Sequence, residues 1–263
     1  EQIAEAISQS DLWREYHPDP SGDRQARIAL SRFYSEWGEK TSPDRIVLAS
    51  STSEIYSWLF QVLCNPGETV LIPTPGYPLF EEIAALSSVK TEKAPIERYG
   101  GRWIFPVASW TLPAKCRALI VVSPHNPTGA EPTEAEWGEI FSFCRKNRLV
   151  LIVDEVFRLS HKHGSKSVVE WDQAQTPVVV LSGLSKWLAA PQLKLSWARL
   201  YGRDDDLHQF ISALEIAADA CLNLSGPVQA ALPQLLSLIE ISSTEVLKRL
   251  ETNRATLRRL LEK

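Results

Sequence analysis

Two side chains that could do chemistry follow apolar runs of the sequence, and they are an amine and a carboxylate. Lys186 comes soon after residues 178–181, Val-Val-Val-Leu, and Asp154 directly follows the run 149–153. The runs predict central strands, so both groups are expected to be nearly buried, where charge is costly unless paired. Each residue also has an ordinary explanation. The stem of Lys186 could cross apolar surface while its ammonium reaches solvent, and Asp154 could be a helix cap or the partner of an ion pair. Taken together, they fit a pyridine cofactor, with Asp154 keeping its nitrogen protonated and Lys186 forming a Schiff base.

A turn motif adds an amide to this pair. Residues 125–129 read His-Asn-Pro-Thr-Gly and follow the apolar stretch 120–122. A proline and a glycine at this spacing are common in ordinary turns. As part of a site, Asn126 would direct its amide at the phenolic oxygen of the cofactor, and the length of the motif, 124–129, makes the signal specific.

Hydroxyl groups at a predicted helix start could bind a phosphate. Residues 50–54 read Ser-Ser-Thr-Ser-Glu, and helix starts favour anions through free N–H groups and the helix dipole. Ser51 and Glu54 also have the spacing of a capping box, which explains both residues without a ligand. The capping box does not explain Lys194, a cation eight residues after Lys186.

The elements that position these residues alternate along the chain between short apolar runs and longer segments of helical period. Strands are predicted at 46–49, 69–72, 118–122, 149–153, 178–181 and 194–200, and helices at 23–37, 53–63, 78–86, 134–147 and 205–218. The pattern indicates an α/β fold with a mostly parallel central sheet and helices on both faces. Ligands of such sheets bind beyond the carboxyl ends of the strands, where the candidate residues lie.

Composition and missing motifs exclude several other classes. The chain has 263 residues, a formal net charge of -4 and no basic stripe, which argues against nucleic acid as a partner. Its apolar runs are too short to span a membrane. The phosphate-loop and dinucleotide fingerprints and the GxSxG elbow are absent, and Gly183 stands where an SxxK enzyme needs serine.

No metal site is predicted, and the cysteines indicate a reducing compartment. Cys64, Cys116, Cys144 and Cys221 are far apart and form no CxxC pair. We therefore expect buried thiols and a cytoplasmic location. His161 and His163 have no third ligand pattern around them and indicate an exposed loop.

Residues 16–225 resemble, in order and approximate spacing, the class I and II aminotransferases, which are pyridoxal 5'-phosphate enzymes of fold type I. The resemblance implies that Lys186 is the Schiff base lysine, that Asp154 binds the pyridine nitrogen and that Asn126 binds the phenolic oxygen. It also implies that Ser51 and Thr52 form the phosphate-binding turn.

The resemblance implies two further aromatic contacts and includes two departures. Tyr77, in the loop Thr-Pro-Gly-Tyr-Pro, matches the ring that stacks on the cofactor. Tyr16 matches the tyrosine that reaches the phosphate of the partner subunit, which implies a homodimer with shared active sites. Phe157 stands where the family commonly has a tyrosine that bonds the phenolic oxygen, and Lys194 stands where many relatives have arginine on the phosphate.

The resemblance also divides the chain. Residues 1–203 match the cofactor-binding large domain, and residues 204–263 are expected to lead towards a small domain that is largely missing, together with its arginine for the substrate carboxylate. The implied activity moves an amino group between an amino acid and a 2-oxo acid. Two alternatives stay open: C–S β-lyase or related carbanion chemistry, and a non-catalytic regulatory domain that binds the same cofactor.

Overall fold

A seven-stranded sheet forms the centre of the computed structural model, which describes residues 2–9, 17–158, 167–170, 176–221 and 224–262. Its strands are β1 Ile46–Ala49, β2 Thr69–Thr74, β3 Lys90–Pro95, β6 Cys116–Val122, β7 Val150–Asp154, β8 Val178–Gly183 and β9 Ser196–Tyr201, and β4 Glu97–Tyr99 and β5 Arg102–Ile104 form a separate antiparallel hairpin. The strand order is β1-β9-β8-β7-β6-β2-β3. Of these seven strands, β9 alone runs opposite in direction to the other six, so the mostly parallel sheet is confirmed.

Helices cover both faces of this sheet. They are α1 Gln2–Ser8, α2 Arg24–Glu36, α3 Thr52–Leu63, α4 Leu79–Leu86, α5 Glu134–Asn147, α6 Leu184–Trp187, α7 Asp204–Asp219, α8 Gly226–Ala230, α9 Leu232–Ser237 and α10 Ile239–Leu261. One face packs against α3, α4 and α7, and the other packs against α5 at one end and α2 and α9 at the other. Because successive side chains of a strand point to opposite faces, strands covered on both sides read as continuous apolar runs.

The strands that the sequence did not predict lie at the periphery. β3 is an edge strand with exposed Lys90, Glu92 and Lys93, and β4 is exposed along its whole length. Charged residues on an edge strand hinder pairing with another chain, and they also remove the apolar run by which a strand is predicted. The predicted strand 194–200 begins later than expected, because Lys194 has a left-handed backbone with φ of 50° and ends a 3-10 turn, Pro191–Leu193.

Parallel strands bring the candidate residues to one edge. β1, β2, β6, β7 and β8 all end at the same side of the sheet, and the antiparallel β9 begins there, with Ser196 paired to both Ala49 and Gly183. Loops and helix starts that follow these strand ends therefore surround one space. Among the described helices, none combines the length and the apolar character that crossing a bilayer requires.

Candidate active site

A cavity of about 350 Å³ opens at the carboxyl ends of the strands. Seven of the eight residues predicted from the sequence line it: Ser51, Thr52, Tyr77, Asn126, Asp154, Lys186 and Lys194. The eighth, Tyr16, lies outside the described residues, as do His161 and His163. Within the described part of the chain, no group of three or more His, Cys, Asp or Glu is placed to hold a metal ion.

Asp154 forms the floor of the cavity at the end of β7. Its side chain is buried, and its two oxygens accept hydrogen bonds from the Val156 N–H at 3.0 Å and from the Tyr56 hydroxyl at 3.1 Å. No described basic side chain pairs with it. Burial raises the pKa of the carboxyl to about 6, while the two hydrogen bonds and the charge of Lys186 act in the opposite direction. A cation brought into the cavity would supply the missing partner.

Lys186 stands on the short helix α6, directly after β8. Its side chain is exposed at the cavity, and Nζ lies 5.6 Å from the centre of the Phe157 ring. The expectation that this lysine is nearly buried is therefore wrong. The helical turn buries Leu184 and Trp187 instead and turns Lys186 away from the core.

Residues with hydroxyl groups at the start of α3 also line the cavity. Ser51 caps the helix, since its Oγ accepts a hydrogen bond from the Glu54 N–H at 3.1 Å. In a capping box, the Glu54 carboxylate would accept a hydrogen bond from the Ser51 N–H. It accepts instead from the N–H and the hydroxyl of Ser50, one residue earlier. Thr52 and Ser53, in the first turn of the helix, also line the cavity.

Two turns carry the remaining predicted residues. Tyr77 is exposed, and its ring stands edge-on to the buried ring of Phe80 at 5.6 Å. A side chain at Gly76 would approach the Pro73 carbonyl oxygen to 2.2 Å, so this turn requires glycine. Asn126 belongs to a turn closed by the Gly129 N–H, which donates to the His125 carbonyl oxygen at 2.7 Å.

The sequence reasoning missed four residues around the cavity. Ser185 and Ser196 line it, and Gly183 faces Ser196 so closely that an added Cβ would lie 2.4 Å from its hydroxyl oxygen. Adjacency to Lys186 could have indicated Ser185 and Gly183. Tyr56 lies behind Asp154, and its position one helical turn after Thr52 could have indicated it.

Comparison with known proteins identifies related sequences. The sequence profile of the family Aminotransferase class I and II matches residues 1–263. The glutamate-pyruvate aminotransferase AlaA of Haemophilus influenzae is 28% identical over 225 residues, covering 83% of this chain and 55% of that protein. A tyrosine aminotransferase of Caenorhabditis elegans is 25% identical over 218 residues, covering 82% and 47%. The chain spans about half the length of these curated relatives.

Solved structures share the fold. An alanine aminotransferase from Pyrococcus furiosus superposes with a TM-score of 0.90 at 23% identity, covering 99% of this chain and 67% of that one. A tyrosine aminotransferase from Leishmania infantum superposes with a TM-score of 0.88 at 19% identity, covering 99% and 73%. At these sequence identities the structural similarity establishes the fold alone, so the reaction has to be argued from the residues of the cavity.

Proposed function

This chain belongs to the class I and II aminotransferase family, and from that premise we propose that it forms the pyridoxal-phosphate-binding part of an aminotransferase. The reaction would move an amino group between an amino acid and a 2-oxo acid. The observation that carries the proposal is the presence of Lys186, Asp154 and the hydroxyls of α3 in one cavity, although they come from three separate segments of the chain. The family match supports this assignment of the cofactor.

The cavity fits the chemical parts of pyridoxal phosphate. Asp154 is a buried carboxylate whose two hydrogen-bond donors, Tyr56 and the Val156 N–H, are both neutral, which suits a protonated ring nitrogen. Ser51 and Thr52 stand at a helix start, which together with the cation of Lys194 suits a phosphate. Asn126 offers an amide for the phenolic oxygen, and Tyr77 offers an aromatic face for the ring.

When bound, pyridoxal phosphate supplies an electron-withdrawing ring that stabilises negative charge on the substrate carbon next to the amino group. The residues of this chain then have separate tasks. The Lys186 amine is the group for covalent attachment of the cofactor, and it is also the group for moving the proton of the substrate carbon. Its exposed position at the cavity gives the amine room for both tasks.

Asp154 would keep the ring nitrogen of a bound cofactor protonated by staying ionised. The pKa of about 6 that burial imposes leaves the carboxyl mainly ionised at neutral pH, and a cationic ring nitrogen beside it would lower that pKa. Phe157 has no hydroxyl to offer the phenolic oxygen, so that oxygen would depend on Asn126. Lys194 would bind phosphate as a point charge, since an ammonium lacks the two-pronged geometry of arginine.

We extend the same proposal to the assembly and the domains. Homodimerisation through Tyr16 would bring that tyrosine to the phosphate of the partner subunit, and a cytoplasmic location suits an enzyme whose four cysteines form no disulfide among the described residues. The expectation that all four thiols are buried is wrong, because Cys64 and Cys116 are half-buried and Cys221 is exposed. The division into a large domain, 1–203, and a segment leading to a small domain, 204–263, belongs to this proposal as well.

Borohydride reduction tests the assignment of Lys186. The purified chain is mixed with pyridoxal phosphate, its absorbance spectrum is recorded before and after borohydride, and the reduced adduct is located by peptide mass mapping. We expect a near-visible band that borohydride removes and a stable label on Lys186. Lys186→Ala should lose both and Lys40→Ala, an exposed lysine outside the cavity, should keep both. A label on Lys186→Ala, or on another lysine of the wild type, would overturn the assignment.

A further inference from the structure

A buried tyrosine holds the cavity carboxylate from behind. The Tyr56 hydroxyl donates to Asp154 Oδ2 at 3.1 Å, and the Val156 N–H donates to Oδ1 at 3.0 Å, so each carboxyl oxygen has one donor from the protein. Two donors on different oxygens fix the rotation of the carboxyl group about its bond to Cβ. We infer that Tyr56 is a positioning residue for Asp154, an inference that rests on the proposed function.

The core holds Tyr56 rigidly. Its ring is 1% exposed and packs against Phe80 at 5.1 Å with an interplanar angle of 73°, and against Phe60 at 6.0 Å. A buried tyrosine hydroxyl needs an acceptor, and a backbone carbonyl oxygen would be sufficient for that purpose. Because the acceptor is instead a carboxylate that lines the cavity, the packing of the core determines how Asp154 faces its ligand.

One helix connects this support to the phosphate end of the cavity. Thr52 and Tyr56 lie four residues apart on α3, and therefore on one face of the helix, separated along its axis by about 6 Å. Thr52 lines the cavity, and Tyr56 reaches Asp154 beneath it. The hydroxyl proposed for the phosphate and the donor behind the carboxylate thus move together as parts of one rigid element.

The hydrogen bond also acts on the charge of Asp154. Burial raises the pKa of Asp154, whereas the hydrogen bond that Tyr56 donates lowers it. Burial and the nearby carboxylate hold the pKa of Tyr56 well above its usual value, so the phenol remains a donor at neutral pH. Removing this hydroxyl leaves Asp154 with the full effect of burial and one donor fewer.

Infrared titration of the cofactor-free chain tests the contact directly. The carbonyl stretch of the protonated Asp154 is followed against pH and assigned by its loss in Asp154→Asn. In Tyr56→Phe, the midpoint should rise by about one pH unit, the value of one hydrogen bond. Tyr34→Phe is the matched control, since Tyr34 is equally buried on the opposite face of the sheet, where its hydroxyl accepts from Trp197 Nε1 at 2.9 Å. This control should titrate like the wild type.

Two outcomes would overturn the inference: a Tyr56→Phe midpoint equal to that of the wild type, or an equal rise in Tyr34→Phe. If Tyr56→Phe does not fold, a second variant that strengthens the hydrogen bond tests the same contact. Replacement of Tyr56 by 3-fluorotyrosine makes the phenol a stronger donor and should lower the midpoint. A midpoint that stays constant or rises with 3-fluorotyrosine would also count against the contact.

Cofactor affinity separates this inference from the proposed function. Affinity for pyridoxal phosphate should fall as the pH drops through the pKa of Asp154, and in Tyr56→Phe this fall should begin at higher pH, with affinity about threefold weaker at pH 6.5. If the wild-type chain binds no pyridoxal phosphate, the proposed function fails while the infrared result still decides the role of Tyr56. If both proteins bind with the same pH profile, the inference fails and the proposed function stands.

Discussion

Glu155 Oε2 lies 3.2 Å from Arg199 Nη2, so the residue that directly follows Asp154 is held from the opposite face of the sheet. Both groups belong to a buried network of two acids and two bases, Glu39, Glu155, Arg158 and Arg199. Asp154 faces the cavity and Glu155 faces this network, because successive side chains alternate between faces. The chain is therefore fixed on both sides at the point where its proposed ring-nitrogen ligand stands.

Removing one member of the network should be strongly destabilising. Arg199→Met leaves Glu39 and Glu155 buried with one cation fewer, and we expect a loss of about 3–5 kcal/mol in the free energy of unfolding. Chemical denaturation measures this loss. Arg24→Met is the control, because its ion pair with Asp44 is exposed and should contribute less than about 1 kcal/mol. Similar losses of unfolding free energy in Arg199→Met and Arg24→Met would show that burial does not make the network more important than an exposed ion pair.

The ionisation of Asp154 should make the cofactor-free chain less stable above pH 6. The folded pKa is raised to about 6 from an ordinary 3.8, so the folded state holds a proton that the unfolded state releases at lower pH. Stability from this group is complete below pH 3.8, falls between the two values and is lost as pH rises through 6, by about 3 kcal/mol in all.

Asp154→Asn isolates that effect, since asparagine does not titrate. Denaturation of both proteins at pH 5 and pH 8 without pyridoxal phosphate should show a smaller decrease in the variant, which should be the more stable protein at pH 8. With pyridoxal phosphate, the wild type should gain stability by binding and Asp154→Asn should retain covalent attachment while losing most carbanion chemistry. Identical pH dependence in the two proteins would show that Asp154 is not the titrating group.

Lys194 should contribute affinity without being the point of attachment. Lys194→Ala should weaken binding of pyridoxal phosphate by about 10–100-fold, the usual effect of losing a hydrogen bond to a charged group, while the borohydride label stays on Lys186. Lys194→Arg should restore affinity, because arginine binds phosphate with two parallel donors. Fluorescence titration measures both variants. Unchanged affinity in Lys194→Ala would remove Lys194 from the phosphate site.

A side chain at Gly183 should destabilise the protein less when the side chain of Ser196 is removed. In Gly183→Ala, the new Cβ would lie 2.4 Å from Ser196 Oγ and 3.0 Å from its Cβ, and we expect a loss of about 1–3 kcal/mol. In a Ser196→Gly background both contacts disappear, and the same change should cost less. Thermal denaturation of the four proteins gives the coupling energy. If the losses of stability in the two single variants add up in the double variant, the contact between residues 183 and 196 is not the cause of the loss.

The sequence was sufficient to predict the cavity because of the parallel sheet. Ser51, Asn126, Asp154 and Lys186 each follow an apolar run, and the ends of parallel strands meet at one edge, so residues far apart in sequence could be assigned to one space. The aminotransferase family predicted from the same residues is confirmed by the match over 1–263. The individual roles of these residues stay predictions.

Other features have no signal in a one-dimensional pattern. One partner of Glu39 is Arg199, 160 residues away, and nothing in either segment indicates which buried charge meets which. Tyr56 looks like any core aromatic residue until its hydroxyl is located at Asp154. The exposure of Lys186 depends on a four-residue helix, which is too short to give a periodic signal.

The pairing of the first strand with the last has a consequence for how the chain is made. β1 lies at the edge of the sheet and pairs with β9, where Ala49 meets Ser196. Closing a loop of that length costs about 4 kcal/mol of chain entropy, and during synthesis the partner strand arrives only after roughly 150 further residues. A nascent chain that ends before β9 also lacks Ser196, which lines the cavity. The proposed cofactor site is therefore completed late in translation, and pyridoxal phosphate would select chains whose sheet has already closed.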